Sequence, residues 1–206
     1  PGPSHTTILG PMINKWLASP SCQQWFREHL DVDPKTLALK KSPWPEVTAQ
    51  QCAQQVEALR TIAAKIPSWF EVMGLIYPPK VNLEQASSQV TAQYKASLVQ
   101  GDTLWDLSGG LGVDTWALAQ KFDQVVHVEQ NPELSALVSH NMEVLGLGAR
   151  VHCENTTAEQ WLEKPHKVSA IYLDPSRRDA HNQRVFLLSD CTPNLIDLSP
   201  KLWDKT

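Results

Sequence analysis

Two stretches of this sequence concentrate residues able to do chemistry. The first is Asp106-Leu107-Ser108-Gly109-Gly110-Leu111-Gly112, followed by Asp114 and, further on, by Glu129 and Gln130. Glycines in such a turn let the backbone approach a ligand that a Cβ would exclude. A carboxylate ending the next strand, as Glu129 would, can accept both hydroxyls of a ribose. The dinucleotide fingerprint G-x-G-x-x-G fails here, because its third glycine position, counted from Gly110, is Thr115. A phosphate-binding turn also favours a helix N-terminus free of acids. Asp106 and Asp114 would repel a pyrophosphate and attract a cation, such as a sulfonium or an ammonium group. Two other readings compete: a nicotinamide or flavin dinucleotide site, and a glycine turn without ligand in which Asp114 caps a helix.

The second stretch is Asp174-Pro175-Ser176-Arg177-Arg178-Asp179, at the exit of an apolar strand. Open α/β sheets bind ligands at that edge. Asp174 is placed to hydrogen-bond a nucleophile or accept its proton, and Pro175 fixes the backbone direction beside it. Arg177 and Arg178 suit bidentate binding of a phosphate or carboxylate. Alternatively they pair with Asp179, Asp190 or Asp197. The aromatic of an Asp/Asn-Pro-Pro-aromatic loop, which stacks on a flipped base, is absent: Ser176 and Arg177 stand there. Cys191, near the expected start of a helix, is either an activated thiol or a buried one.

Positioning these residues requires two kinds of chain. Residues 1–100 read as a helical region, with spans at Ile8–Ala18 (interrupted by Pro20), Cys22–Leu30, Thr36–Lys40 behind an Asp33-Pro34 start, Val47–Ile66, an apolar Trp69–Ile76, and Leu83–Leu98. From Gly101 the pattern changes. Strands are expected at Thr103–Leu107, Gln124–Val128, Arg150–Cys153 and Val168–Leu173. Helices are expected at Val113–Lys121, Pro132–Leu145, Ala158–Leu162 and Asn194–Trp203, the last capped through Thr192-Pro193. Alternation of this kind means βαβ units and a parallel sheet. The expected fold is therefore α/β and Rossmann-like in residues 101–206, preceded by an α-helical region.

Composition narrows the function classes. The 206 residues carry a net charge of −4, which does not describe a strongly basic nucleic-acid binder. The charge is uneven: residues 1–100 hold 9 basic and 7 acidic residues, residues 101–206 hold 9 and 15. The acidic half is the half with the glycine loop. The 4 cysteines form no C-x-x-C pair, which argues against a zinc or redox motif and suits a cytoplasmic location. No metal site is expected. No apolar run is long enough to span a membrane, and no signal peptide is visible.

The pattern D-x-G-x-G-x-G fits Asp106 to Gly112 with Ser108 in the first glycine slot, and Leu104–Glu129 resembles the class I S-adenosylmethionine (SAM)-dependent methyltransferases. Further segments resemble a narrower bacterial group whose members carry a THUMP-like domain after the catalytic domain. These are Glu84-Gln85-Ala86-Ser87-Ser88, the glycine loop through Asp114, Asp174–Asp179, and Asp190-Cys191-Thr192-Pro193-Asn194-Leu195. Asp33–Leu39 and Ile66–Trp69 extend the resemblance into the helical region. The resemblance implies SAM as cofactor, held by Asp106, Ser108, Gly109, Gly110, Gly112, Asp114, Glu129 and Gln130, with Gln85 and Ser87 approaching from the preceding helix. It implies transfer at Asp174, Pro175, Arg177 and Arg178. Lys95 either meets the methionine carboxylate or is a solvated lysine. Since THUMP domains bind RNA, RNA is the implied substrate; a small molecule, a protein, and a non-catalytic SAM- or RNA-binding module are the alternatives. Where many members of the superfamily place an acid to contact the adenine amino group, this sequence has Asn155. A complete fold of that kind has seven strands, so the first four are expected here, the last three and the THUMP-like domain lying outside this sequence.

Overall fold

The computed structural model describes residues 13–175 and 193–206. Its first part is a set of short helices whose ends are set by serine, threonine and proline. A 3-10 turn, Lys15–Ala18, is capped by Asn14; of the expected Ile8–Ala18 helix, residues 8–12 lie outside the described residues and residues 13–14 are not helical. Pro20 does not interrupt a helix but opens one. Ser19 accepts from the Cys22 amide and Pro20 occupies the first position of α1 (Pro20–Glu28), where a missing N–H costs nothing. α2 (Pro34–Ala38) starts the same way behind Asp33. α3 (Ala49–Lys65) begins with a Thr48–Gln51 capping box. A single turn, α4 (Pro67–Phe70), replaces the longer apolar helix expected to follow.

The expected Leu83–Leu98 helix is two helices, α5 (Lys80–Gln85) and α6 (Gln89–Ser97). The break has local causes. Ser88 accepts from the Thr91 amide and caps α6, while Lys65 Nζ donates to the Leu83 and Glu84 carbonyls at the end of α5. Serines compete with the helical backbone in this way. The break leaves Ser87 between the helices and lays α6 beside α7 (Val113–Leu118).

Residues 74–77 join the helical part to the rest without joining any strand. Their backbone groups must still be satisfied, and three buried amide side chains do it. Gln23 accepts from the Gly74 amide and donates to the Leu75 carbonyl. Gln55 accepts from Tyr77 N and donates to Tyr77 O. Asn141 on α8 (Pro132–Val144) accepts from Ile76 N at 3.0 Å and donates to Ile76 O at 2.8 Å. Replacing Asn141 with Ala strands both Ile76 groups in the core, and about 1–3 kcal/mol of desolvation attends each unsatisfied group. The N141A variant should therefore lose about 2–4 kcal/mol in urea unfolding; a midpoint equal to the wild type's would refute the clamp.

The sheet is parallel, in the order β3-β2-β1-β4, from β1 (Gly101–Asp106), β2 (Phe122–Val128), β3 (Val151–Glu154) and β4 (Ala170–Tyr172). α7, α8 and α9 (Ala158–Leu162) connect the strands, and α10 (Leu195–Trp203) follows. Asn194, rather than Thr192, caps α10 by accepting from the Ile196 and Asp197 amides; Thr192 lies outside the described residues. This is the Rossmann-like α/β arrangement expected for residues 101–206.

Alternation along β1 divides the molecule into two cores. Leu104 faces a cluster that runs from Leu17 through α3, α7 and α8 to Val151. Trp105 and Leu107 face the opposite cluster, with Val128, Trp161, Leu162 and Leu198. The helical part thus packs on the sheet through a shared core. Asp106 lies on the same side as Leu104. Register sets Tyr172, Asp106, His127 and Cys153 in one row across the four strands.

Candidate functional site

The strand order reverses between β1 and β4. In an open parallel sheet the crevice beyond the carboxyl ends at such a switch point is where ligands bind. The glycine loop leaves β1 there, and Leu173-Asp174-Pro175 leaves β4 beside it.

Asp106 ends β1 and is 1% exposed. Its carboxylate accepts from Ser108 N at 3.0 Å, from Ser108 Oγ at 3.2 Å and from Thr115 Oγ1 at 2.6 Å. Burial pushes its pKa up to about 6, against the lowering effect of those hydrogen bonds. Direct contact between Asp106 and a cation, the expectation from its place in the motif, gives way to a different role: its carboxylate ties the loop to the first turn of α7. Ser108 has a second task. Its Oγ accepts from the Asp174 amide at 2.8 Å, so the residue in the first glycine slot joins the β1 and β4 exits.

The glycines differ in their surroundings. A Cβ on Gly109 would lie 2.5 Å from His127 Nε2 and 2.7 Å from the Val128 carbonyl. Gly112 has φ +78° and packs against Val138 and Met142. Gly110 has φ +55°, and its Cβ would meet only the Ser108 carbonyl, at an unstrained 3.7 Å; this is the least crowded side of the loop. His127 is fully buried beneath the loop, with neither ring nitrogen hydrogen-bonded among the described residues. Burial holds its pKa below the ordinary histidine value.

Glu129, just past β2, accepts from the Gly110 amide at 2.9 Å and from the Asn131 amide at 2.7 Å. Its two oxygens are held by one bond each, and each keeps a lone pair. Asn155, just past β3, donates to the carbonyls of Glu129 and Gln130 at 2.9 and 3.0 Å. That leaves its amide oxygen as the end that can accept from a ligand. The Gln130 side chain is exposed.

Lys95 is neither solvated nor peripheral. Its ammonium lies 2.8 Å from Asp174 Oδ2, 2.7 Å from Tyr172 Oη, 3.1 Å from Ser87 Oγ and 3.3 Å from both Asp114 oxygens. Burial opposes its charge, but the hydrogen bond to Asp174 and the carboxylates of Asp114 and Asp174 outweigh it. The Lys95 pKa stands above its ordinary value. Ser87 donates to Asp114 Oδ2 at 2.9 Å. Burial and the neighbouring carboxylates push the Tyr172 phenol upward. The Asp174 side chain is 59% exposed, open to a reactant, while its backbone is pinned by Ser108.

The structure therefore gathers Ser87, Asp106, Ser108, Gly109, Gly110, Gly112, Asp114, Glu129, Gln130, Asn155, Asp174 and Pro175 along one edge. Gln85, the last residue of α5, is exposed and bonds to none of them among the described residues. Arg177, Arg178 and Cys191 lie outside the described residues. Sequence reasoning misses Tyr172 and Thr115. A signal exists for Tyr172: it stands two residues before Asp174, the spacing at which side chains of an extended segment fall on one side. Among the described residues no group of His, Cys, Asp and Glu is arranged to hold a metal, and no helix is long and apolar enough to cross a membrane.

Over 89% of its length, this chain is similar to a protein of Porphyromonas gingivalis W83 to which methyltransferase activity has been ascribed, with 30% identity and a TM-score of 0.75. The two share the Rossmann-like α/β fold. The chain spans 45% of that protein's length. Smaller overlaps occur with a SAM-dependent O-methyltransferase of Thermotoga maritima and a tRNA m1G37 methyltransferase of M. jannaschii. The first has 24% identity and a TM-score of 0.39, over 44% of this chain and 36% of that one. The second has 15% identity and a TM-score of 0.42, over 57% and 33%. Overlaps this slight say nothing about substrate. No family model and no curated protein matches the chain.

Proposed function

We propose that this protein is a SAM-dependent methyltransferase. The observation that carries the reading is the charge of the ligand edge. Asp114, Asp174 and Glu129 line it, and Lys95 is the one ammonium bonded to them among the described residues. That set of acceptors suits a ligand with a positive centre and a ribose diol, and it repels a pyrophosphate. Gly110, whose Cβ position has only the Ser108 carbonyl near it, at 3.7 Å, is where such a ligand reaches the loop. SAM would supply an electrophilic methyl on a sulfonium.

Each residue has a role in this reading. The free lone pairs of Glu129 accept the two ribose hydroxyls, and its bonds to the Gly110 and Asn131 amides fix their direction. The Asn155 amide oxygen accepts from the adenine amino group. Asp114 faces the cationic end. Asp174 accepts the nucleophile's proton, and the Ser108 bond holds it at the right distance. Pro175 directs the chain onward to Arg177 and Arg178, which grip a phosphate or carboxylate of the substrate.

RNA is the substrate class we put forward, on the phosphate-binding chemistry of that arginine pair and the resemblance to the group with a THUMP-like domain. One observation favours the second reading, a small-molecule or protein substrate. Arg27 and Arg60 of the helical region are engaged by the carbonyls of Phe70, Val72, Leu30 and Val32, so part of their donor capacity is spent within the fold. We retain the division near residue 100 into a helical region and a SAM-binding region, and a cytoplasmic location, which the free thiols of Cys22, Cys52 and Cys153 suit.

Titration of the protein with SAM and with S-adenosylhomocysteine in a calorimeter should show binding of both. A folded protein that binds neither ends the cofactor reading. Incubation with methyl-labelled SAM and separated RNA, protein and metabolite fractions should then label RNA; label in another fraction replaces the substrate class.

A further inference from the structure

The ionic cluster at the β4 exit has an unusual composition. Lys95 carries three N–H donors and faces acceptors on four residues, Ser87, Asp114, Tyr172 and Asp174, all within 3.3 Å. Three donors cannot satisfy all of these at once. Its one positive charge also faces two carboxylates, so the cluster keeps a net charge of about −1 at neutral pH. Asp106, buried behind it on the same face of the sheet, adds further negative potential.

Lys95 is held where it is. α6 is capped by Ser88 and packs along α7, and the ammonium lies 5.4 Å from the centre of the Tyr172 ring. Asp114 sits in the first turn of α7, where the helix dipole favours its charge. The Asp114 side chain is 16% exposed, that of Lys95 26% and that of Asp174 59%. The cluster is therefore most open to solvent at Asp174, and a second cation can reach it from there.

We propose that Lys95 sets the protein's discrimination between charged and neutral forms of its cofactor. Its ammonium competes with a sulfonium for Asp114 and Asp174. The inference rests on the cofactor reading above. SAM carries the sulfonium; S-adenosylhomocysteine has a neutral thioether in its place and is otherwise the same molecule. Lys95 opposes the first and is indifferent to the second at that atom. After transfer the positive charge has left the sulfur with the methyl, and once Asp174 has released the nucleophile's proton to solvent Lys95 regains both carboxylates. A helix from the region before the sheet thus takes part in cofactor selection.

The test is the ratio of the two dissociation constants, measured by calorimetry at low ionic strength, where partly exposed charges are least screened. Lys95→Met keeps the unbranched shape of the side chain, one atom shorter, and removes its charge. It should strengthen SAM relative to S-adenosylhomocysteine by about fivefold or more, and Lys95→Arg should restore the wild-type ratio. Asp114→Asn should move the ratio the opposite way, and it decides the matter if the Met variant does not fold. A ratio unchanged within about twofold in K95M and D114N overturns the proposal. So does an equal weakening of both ligands in K95M, which would place Lys95 on the methionine carboxylate that both share. Failure of the wild type to bind either ligand is a different result: it removes the cofactor reading, and this inference with it.

Discussion

Replacing Asp174 with Ala is expected to lower methyl transfer by about 100-fold or more, the usual contribution of a positioned general base, while S-adenosylhomocysteine affinity stays within about threefold of wild type. The reason lies in how Asp174 is held. Its amide is fixed by Ser108 Oγ at 2.8 Å, so the backbone of the β4 exit does not depend on the carboxylate. The carboxylate itself is 59% exposed and directed by Lys95 at 2.8 Å. Truncation removes the proton acceptor and leaves the scaffold. The neutral ligand is the right probe, because it lacks the charge that Asp174 would attract. The measurement is the rate of label transfer from SAM into whichever cellular fraction the wild type labels. Transfer at the wild-type rate in D174A would exclude Asp174 from the chemistry.

The second large effect is expected at Gly109. A Cβ there would stand 2.5 Å from the ring of His127 and 2.7 Å from the Val128 carbonyl. Neither can yield easily: His127 is fully buried and the carbonyl is backbone, bonded to the Gly109 amide itself at 3.1 Å. Overpacking of this kind costs about 1–3 kcal/mol, and more where backbone is struck. Gly109→Ala should therefore lower stability by about 3 kcal/mol and, by displacing the loop, abolish binding of both ligands. Gly110→Ala is the control. Its Cβ makes only an ordinary contact, 3.7 Å from the Ser108 carbonyl, so the left-handed conformation alone is penalised, about 1–2 kcal/mol. Urea unfolding of the two variants checks the order. A G109A protein as stable as wild type would show that the loop does not rest on His127 as described.

Much of this site is legible in the amino-acid sequence. The glycine loop, the carboxylate ending β2 and the Asp-Pro exit of β4 are short, contiguous signals. Each lies at a strand end, and strand ends are readable because apolar β-branched runs stop there. Asp33 marks its helix for the same reason: a cap acts on amides two or three residues away. The differences between expectation and structure are equally local in cause. Leu83–Leu98 reads as continuous because its apolar spacing survives the Ala86–Ser88 break, which is enforced by Lys65 from another helix. Pro20 reads as an interruption because its N–H deficit is visible in sequence, whereas the Ser19 cap that makes it a start is a matter of geometry.

Lys95 shows the boundary of what sequence carries. Seventy-nine residues separate it from Asp174, and nothing in the spacing relates them. The residue types and their order determined the class of fold, the glycine loop at the end of β1 and the acidic character of its surroundings, since these follow from periodicity and from backbone demands within a few residues. The tertiary structure alone decided that the carboxylate of Asp106 turns inward to hold the loop, and that Ser108 joins two strand exits. It also decided that a lysine from the helical region completes the acidic edge. Those outcomes depend on which strand lies beside which and on which face of the sheet the helices cover, and only long-range packing settles both.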